Sequence, residues 1–107
     1  MILITKALEK TFAKYPLYSQ DSKGIEAIVL AKFSGFTWYV TEAEKQANGD
    51  YMFFGYVDGL DAEFGYFTLS QLKSVRSRYG LAVERDRYFN NGKTTLAEVM
   101  HKFEAAY

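Results

Sequence analysis

The chain has no cysteine, one proline, one histidine and one tryptophan among 107 residues. Without cysteine there is no disulfide framework and no thiolate zinc site, and a reducing, cytoplasmic setting is the expectation. A single histidine, His101, leaves few routes to acid–base or metal chemistry. Helical spacing puts His101 with Glu98 and Lys102, away from Leu96, Val99 and Phe103, so an exposed histidine is the simplest reading. Met1-Ile2-Leu3-Ile4 is too short for a signal-peptide core, and no apolar run reaches membrane-spanning length, so no membrane partner is expected. There are no internal repeats, low-complexity tracts, phosphate-cradling glycine loop or nucleophile elbow. No catalytic residue, cofactor site or metal site is assigned, and a non-enzymatic role is expected.

What the chain does have is apolar and aromatic bulk. Hydrophobic residues make up 49% and aromatics 18%, enough for one globular domain over residues 1–107. The stretch Asp50–Thr68 organises the rest. It leaves a turn at Asn48-Gly49-Asp50 and enters a run, Tyr51 to Val57, rich in aromatic residues. Tyr51, Phe53, Gly55 and Val57 share one face; Met52, Phe54 and Tyr56 share the other. Both faces are apolar, which predicts a central strand covered on two sides. After Asp58-Gly59-Leu60-Asp61 the chain re-extends as Glu63–Phe67.

Around this strand the order is legible. Thr5 caps a predicted helix, Lys6 to about Tyr15, with Leu8, Phe12 and Tyr15 on one face, and Pro16 stops it. Ile25–Phe33 reads as a strand, Ser34-Gly35 as a tight turn, and Phe36–Thr41 as the next strand. Glu42–Ala47 is open between a helical turn and a loop. Thr68-Leu69-Ser70-Gln71 fits a capping box, opening a helix through Tyr79 that Gly80 closes. Leu81–Phe89 reads as extended, and Thr95-Leu96-Ala97-Glu98 caps a last helix. The fold class expected is α+β: an antiparallel sheet of three to five strands with about three helices packed mainly on one face.

Net charge is zero, but the charges are segregated. From Glu42 to Glu63 six acids face Lys45 alone, a balance of −5; from Lys73 to Lys93 six bases face Glu84 and Asp86, a balance of +4. Two candidate sites follow. Asp58, Asp61 and Glu63 form an acidic turn that carboxylate chemistry or a divalent cation could use, although such acids are also what a polar turn contains. Arg76, Arg78, Arg85 and Arg87 form a candidate basic surface for phosphate or for a partner's carboxylates. The plainer account of Glu84-Arg85-Asp86-Arg87 is an edge strand whose charges discourage sheet-to-sheet pairing. Phe53-Phe54-Gly55-Tyr56-Val57 has some vocabulary of base-stacking sheets but lacks their basic start and spacing.

Several runs taken together resemble the domain-of-unknown-function family 2958. They are Leu17-Tyr18-Ser19-Gln20, Ala27-Ile28-Val29, Ala31-Lys32-Phe33, Thr37-Trp38-Tyr39, Thr41-Glu42 and Phe53–Val57 with Gly59. They continue as Glu63–Leu69, Gly80-Leu81, Glu84-Arg85-Asp86 and Phe89, in the family's order and over roughly three quarters of the chain. The Ser34-Gly35 connection is shorter than the family's usual loop, and the first helix carries no family signature. The resemblance implies a compact bacterial domain whose genes travel on phages, plasmids and other mobile elements; it implies no activity. The expectation is therefore a protein-binding module, an accessory or anti-defence factor of such an element. The alternative is a nucleic-acid-associated domain using the basic helix and the Arg85/Arg87 strand.

Overall fold

A computed structural model describes residues 3–59, 61–76, 80–87, 89 and 93–105, with side chains described as far as residue 100. Four strands make an antiparallel meander in sequence order: β1 (Ala31–Phe33), β2 (Thr37–Lys45), β3 (Tyr51–Asp58) and β4 (Ala62–Thr68). Helix α1 (Lys6–Ala13) precedes the sheet; α2 (Leu69–Ser74) and α3 (Leu96–Ala105) follow it. The class is α+β, with the sheet inside the expected three to five strands.

β3 is a central strand, as its two apolar faces predict. On one face Phe53 is fully buried among Phe12 of α1, Phe33, Tyr51 and Phe67, with ring centroids 5.5–6.3 Å apart. Leu8 and Phe12 of α1 and Leu69 and Leu72 of α2 cover this face, so two of the three helices share it. On the other face Tyr56 packs with Ala27, Val29, Leu96 and Val99, and α3 closes that side. Burying a ring such as Phe53 among close partners is worth about 3–5 kcal/mol against truncation to alanine.

The caps read from sequence are present. The Leu8 amide donates to Thr5 Oγ1 (3.1 Å), and Thr68 and Gln71 form the reciprocal capping box. Gly49, with φ +87°, makes the turn into β3.

Three elements differ from the sequence reading. The first strand does not begin at Ile25. Asp21–Glu26 forms a 3₁₀ segment, and the Gln20 side chain takes both backbone groups of Ile28, at 2.8 and 2.9 Å. Ile28 then bridges to Thr95, Val29 donates to Thr94, and the regular ladder starts only at Ala31. The Glu42–Ala47 stretch is neither helical turn nor loop in its first half, because β2 runs through Lys45.

The second helix stops at Ser74 instead of Tyr79. Val75 is extended, and Arg76 bridges Ala82. Ser74 Oγ donates to the Gln71 carbonyl, and the Arg76 guanidinium donates to the carbonyls of Lys73 and Val75, which satisfies the helix end one turn early. Gly80, with φ +79°, lies between Arg76 and Ala82, which bridge antiparallel; residues 77–79 lie outside the described residues. The extended run after it makes isolated bridges at Ala82 and Arg85, not a continuous strand.

β2 carries one irregularity that matters below. Val40 pairs with Gly55 but Glu42 pairs with Phe54, so Thr41 is an extra residue in the strand. The bulge keeps Val40 and Ala43 on the α1/α2 face and turns Glu42 to the opposite one.

Candidate functional site

The two edges of the sheet are treated differently. Along β1 the segment after Ala82 lies against the strand: Ser34 donates to Glu84 (2.8 Å), Asp86 donates to Lys32 (2.9 Å), and Phe33 bridges Arg85. A Lys32–Asp86 ion pair at 3.6 Å adds to that cover. β4 is the other edge, and among the described residues none pairs with its outer side. Its pairing with β3 runs without a break from Met52↔Thr68 to Asp58↔Ala62. It has no proline, no lysine and no bulge, the features that usually blunt an open edge.

The second face of this edge is aromatic. Phe64 and Tyr66 are 47% and 52% exposed, and both rings rest on β3, Tyr66 on Phe54 at 4.9 Å and Phe64 on Tyr56 at 5.3 Å. A side-chain hydrogen bond with Tyr18 that favours the protonated phenol, and partial desolvation, hold the Tyr66 hydroxyl above its ordinary pKa. Tyr18 is itself a left-handed residue, φ +73°, in the connection after α1.

The first face holds a cleft of about 360 Å³ beside the same strand. Phe36, Trp38, Val57, Asp61, Glu63 and Gly65 contribute to its walls. Phe36, in the turn between β1 and β2, is positioned by Gly59, whose missing side chain leaves room for the ring: a Cβ there would lie 3.2 Å from it. Gly65 leaves the floor open, since a Cβ on it would meet nothing within 4 Å. The buried indole N–H of Trp38 has no hydrogen-bond partner among the described residues.

The acidic turn is thus split. Asp61 and Glu63 line the cleft, while Asp58 ends β3 and is half-buried. The three do not gather into a metal-binding group, and no set of three or more such ligands occurs among the described residues.

Arg76 lines a cleft of about 520 Å³ with Lys73, Glu84 and Val83, its guanidinium turned onto the end of α2. Arg85 is half-buried beside β1 and Arg87 is exposed. Arg78 and the side chain of His101 lie outside the described residues.

A further arrangement was invisible in sequence. Glu42, 1% exposed, accepts the backbone N–H of Tyr18 (2.8 Å) and of Gln20 (2.9 Å). Gln20, equally buried, donates to the carbonyls of Thr41 (2.6 Å) and Ile28 (2.9 Å). Both residues border a cleft of about 260 Å³ that also touches Phe54 and Phe64. The carboxylate holds the connection from which Tyr18 reaches Tyr66.

A family profile described as "Protein of unknown function (DUF2958)" matches residues 3–106. The chain belongs to this family. No curated protein and no solved structure matches the chain. The DUF2958 match takes in every element described above, including the whole of β4 and the turn before it. Among the described residues no helix is long and apolar enough to cross a membrane.

The sequence signal for the site was incomplete. The acidic turn is readable from Asp58, Asp61 and Glu63. Tyr51 and Tyr56 are buried and Trp38 and Tyr39 half-buried, while Tyr18, Phe36, Phe64 and Tyr66 are the open rings among the described residues. Exposure of Phe64 and Tyr66 follows from β4 being last in the sheet, which local alternation does not encode.

Proposed function

We propose that the protein is a small non-enzymatic protein-binding module, serving as an accessory or anti-defence factor of a phage, plasmid or other mobile element. One observation carries the binding part: β4 offers seven unblunted residues of strand edge with Phe64 and Tyr66 exposed along it. Exposed apolar rings beside unpaired backbone groups are the features by which a sheet accepts another chain. The mobile-element setting rests on the family resemblance.

The test is affinity capture from bacterial lysate with and without nuclease, using wild type and the double variant Phe64→Lys/Tyr66→Lys. Lysines blunt the edge as natural edges are blunted and remove the rings. A protein captured in both lysates and lost with the double variant is the expected result. Capture that vanishes with nuclease, or that the double variant retains, contradicts the reading. The nuclease-sensitive outcome favours the nucleic-acid alternative, a basic surface of the second helix and the Arg85/Arg87 segment.

A further inference from the structure

The chemistry around β4 narrows what it would bind. We infer that the occupant is an extended basic segment of another protein, which adds a strand along β4 and seats a lysine or arginine side chain above Gly65. This rests on the protein-binding reading and specifies its partner.

Three observations converge. A strand laid beside β4 must send its side chains alternately to the two faces. The residue next to Gly65 then points to the first face, and its neighbours point to the second, alongside Phe64 and Tyr66. The first face at Gly65 is open floor, and the cleft there has the volume for a long side chain. Finally, the cleft walls combine the rings of Phe36 and Trp38 with the carboxylates of Asp61 and Glu63. Ring faces and carboxylates both attract ammonium and guanidinium groups, and the surrounding segment carries the chain's −5 balance. A phosphate backbone would be repelled by the same groups. A second copy of this chain fits less well, because Ala62–Thr68 contains no lysine or arginine, and β4 paired with β4 would leave the cleft unfilled.

The probe is a capped nonapeptide of alternating arginine and threonine. The readout is emission from Trp38, the sole tryptophan, which lines the cleft. Saturable change with this peptide is expected, and none with the glutamate–threonine counterpart or with alternate amides N-methylated to block strand pairing. Gly65→Leu, whose Cβ meets nothing within 4 Å, puts a side chain into the cleft and should weaken binding about tenfold at unchanged thermal stability, as should Asp61→Asn/Glu63→Gln.

Equal binding of the N-methylated or the glutamate peptide overturns the inference, as does full binding by Gly65→Leu. A wild-type dimer in sedimentation, dissolved by Phe64→Lys/Tyr66→Lys, overturns it in favour of a second copy. The two levels separate cleanly. A nuclease-resistant partner that depends on Phe64 and Tyr66, with no affinity for the arginine peptide, sinks the basic-strand inference and keeps the binding module. Peptide binding that requires an open Gly65, with every lysate partner nuclease-sensitive, sinks the module reading and keeps the site.

Discussion

Glu42 and Tyr18 are 24 residues apart, yet the Glu42 carboxylate accepts the Tyr18 backbone N–H at 2.8 Å. Its second oxygen takes the Gln20 N–H, so a fully buried acid is satisfied by main-chain donors, in a network with no lysine or arginine. The Thr41 bulge is what turns Glu42 toward that loop. Glu42→Gln retains the shape but sets an NH₂ group against one of two N–H donors. It should destabilise the protein by about 3 kcal/mol, measured by urea denaturation, because a buried donor is left without an acceptor. A change below about 0.5 kcal/mol, the range of ordinary surface substitutions, would mean the carboxylate does not hold the loop.

Gly55 and Gly65 face each other across β3 and β4 and should respond oppositely to alanine. A Cβ on Gly55 would sit 1.8 Å from the Tyr39 carbonyl oxygen, which is backbone and cannot swing away. Gly55→Ala should cost about 3 kcal/mol or express as insoluble protein. Gly65→Ala meets nothing and should be neutral or stabilising by up to about 1 kcal/mol. Thermal melts of the two variants side by side check the pair.

Phe53 is the centre of the larger core, with Phe12, Phe33, Tyr51 and Phe67 around it. Phe53→Ala should lose about 3–5 kcal/mol, and Phe53→Leu roughly a third of that, by denaturant titration.

Asp50 links the turn before β3 to the start of α2, accepting from the Ser70 hydroxyl and from the backbone N–H of Ser70 and Tyr51. The Ser70 hydroxyl bond is the main reason its carboxyl sits below the ordinary aspartate range. A lowered folded-state pKa means a contribution fully present above the unfolded value, about 3.9, and lost as pH falls through the folded one. Wild type should therefore lose more melting temperature between about pH 5 and pH 2 than Asp50→Ala does. Equal slopes would assign the acid sensitivity elsewhere.

The meander, the central place of β3 and the caps at Thr5 and Thr68 were legible because each is a local pattern of alternation or capping chemistry. Ile25–Leu30 misleads because its alternation is real but the backbone groups of Ile28 are taken by Gln20, a contact between segments. The helix after Thr68 reads long because Leu72, Val75 and Tyr79 keep helical spacing, while its end is set by Arg76 pairing with Ala82. For the site, Asp61 and Glu63 announced themselves as charge. Phe36, Trp38 and Gly65 did not, because only the order of strands brings a turn, a β2 ring and an empty β4 position around one cleft.

The central claim is that β4 is an open edge that another chain can extend. Backbone amide hydrogen exchange of the whole protein, free and saturated with the arginine–threonine nonapeptide, addresses it directly. In the free protein the β4 amides bonded to β3 should exchange slowly and the outward ones fast; the peptide should slow the outward ones at least about tenfold, as new strand pairing requires. Outward β4 amides already slow in the free protein, or unchanged at saturating peptide, would contradict the account.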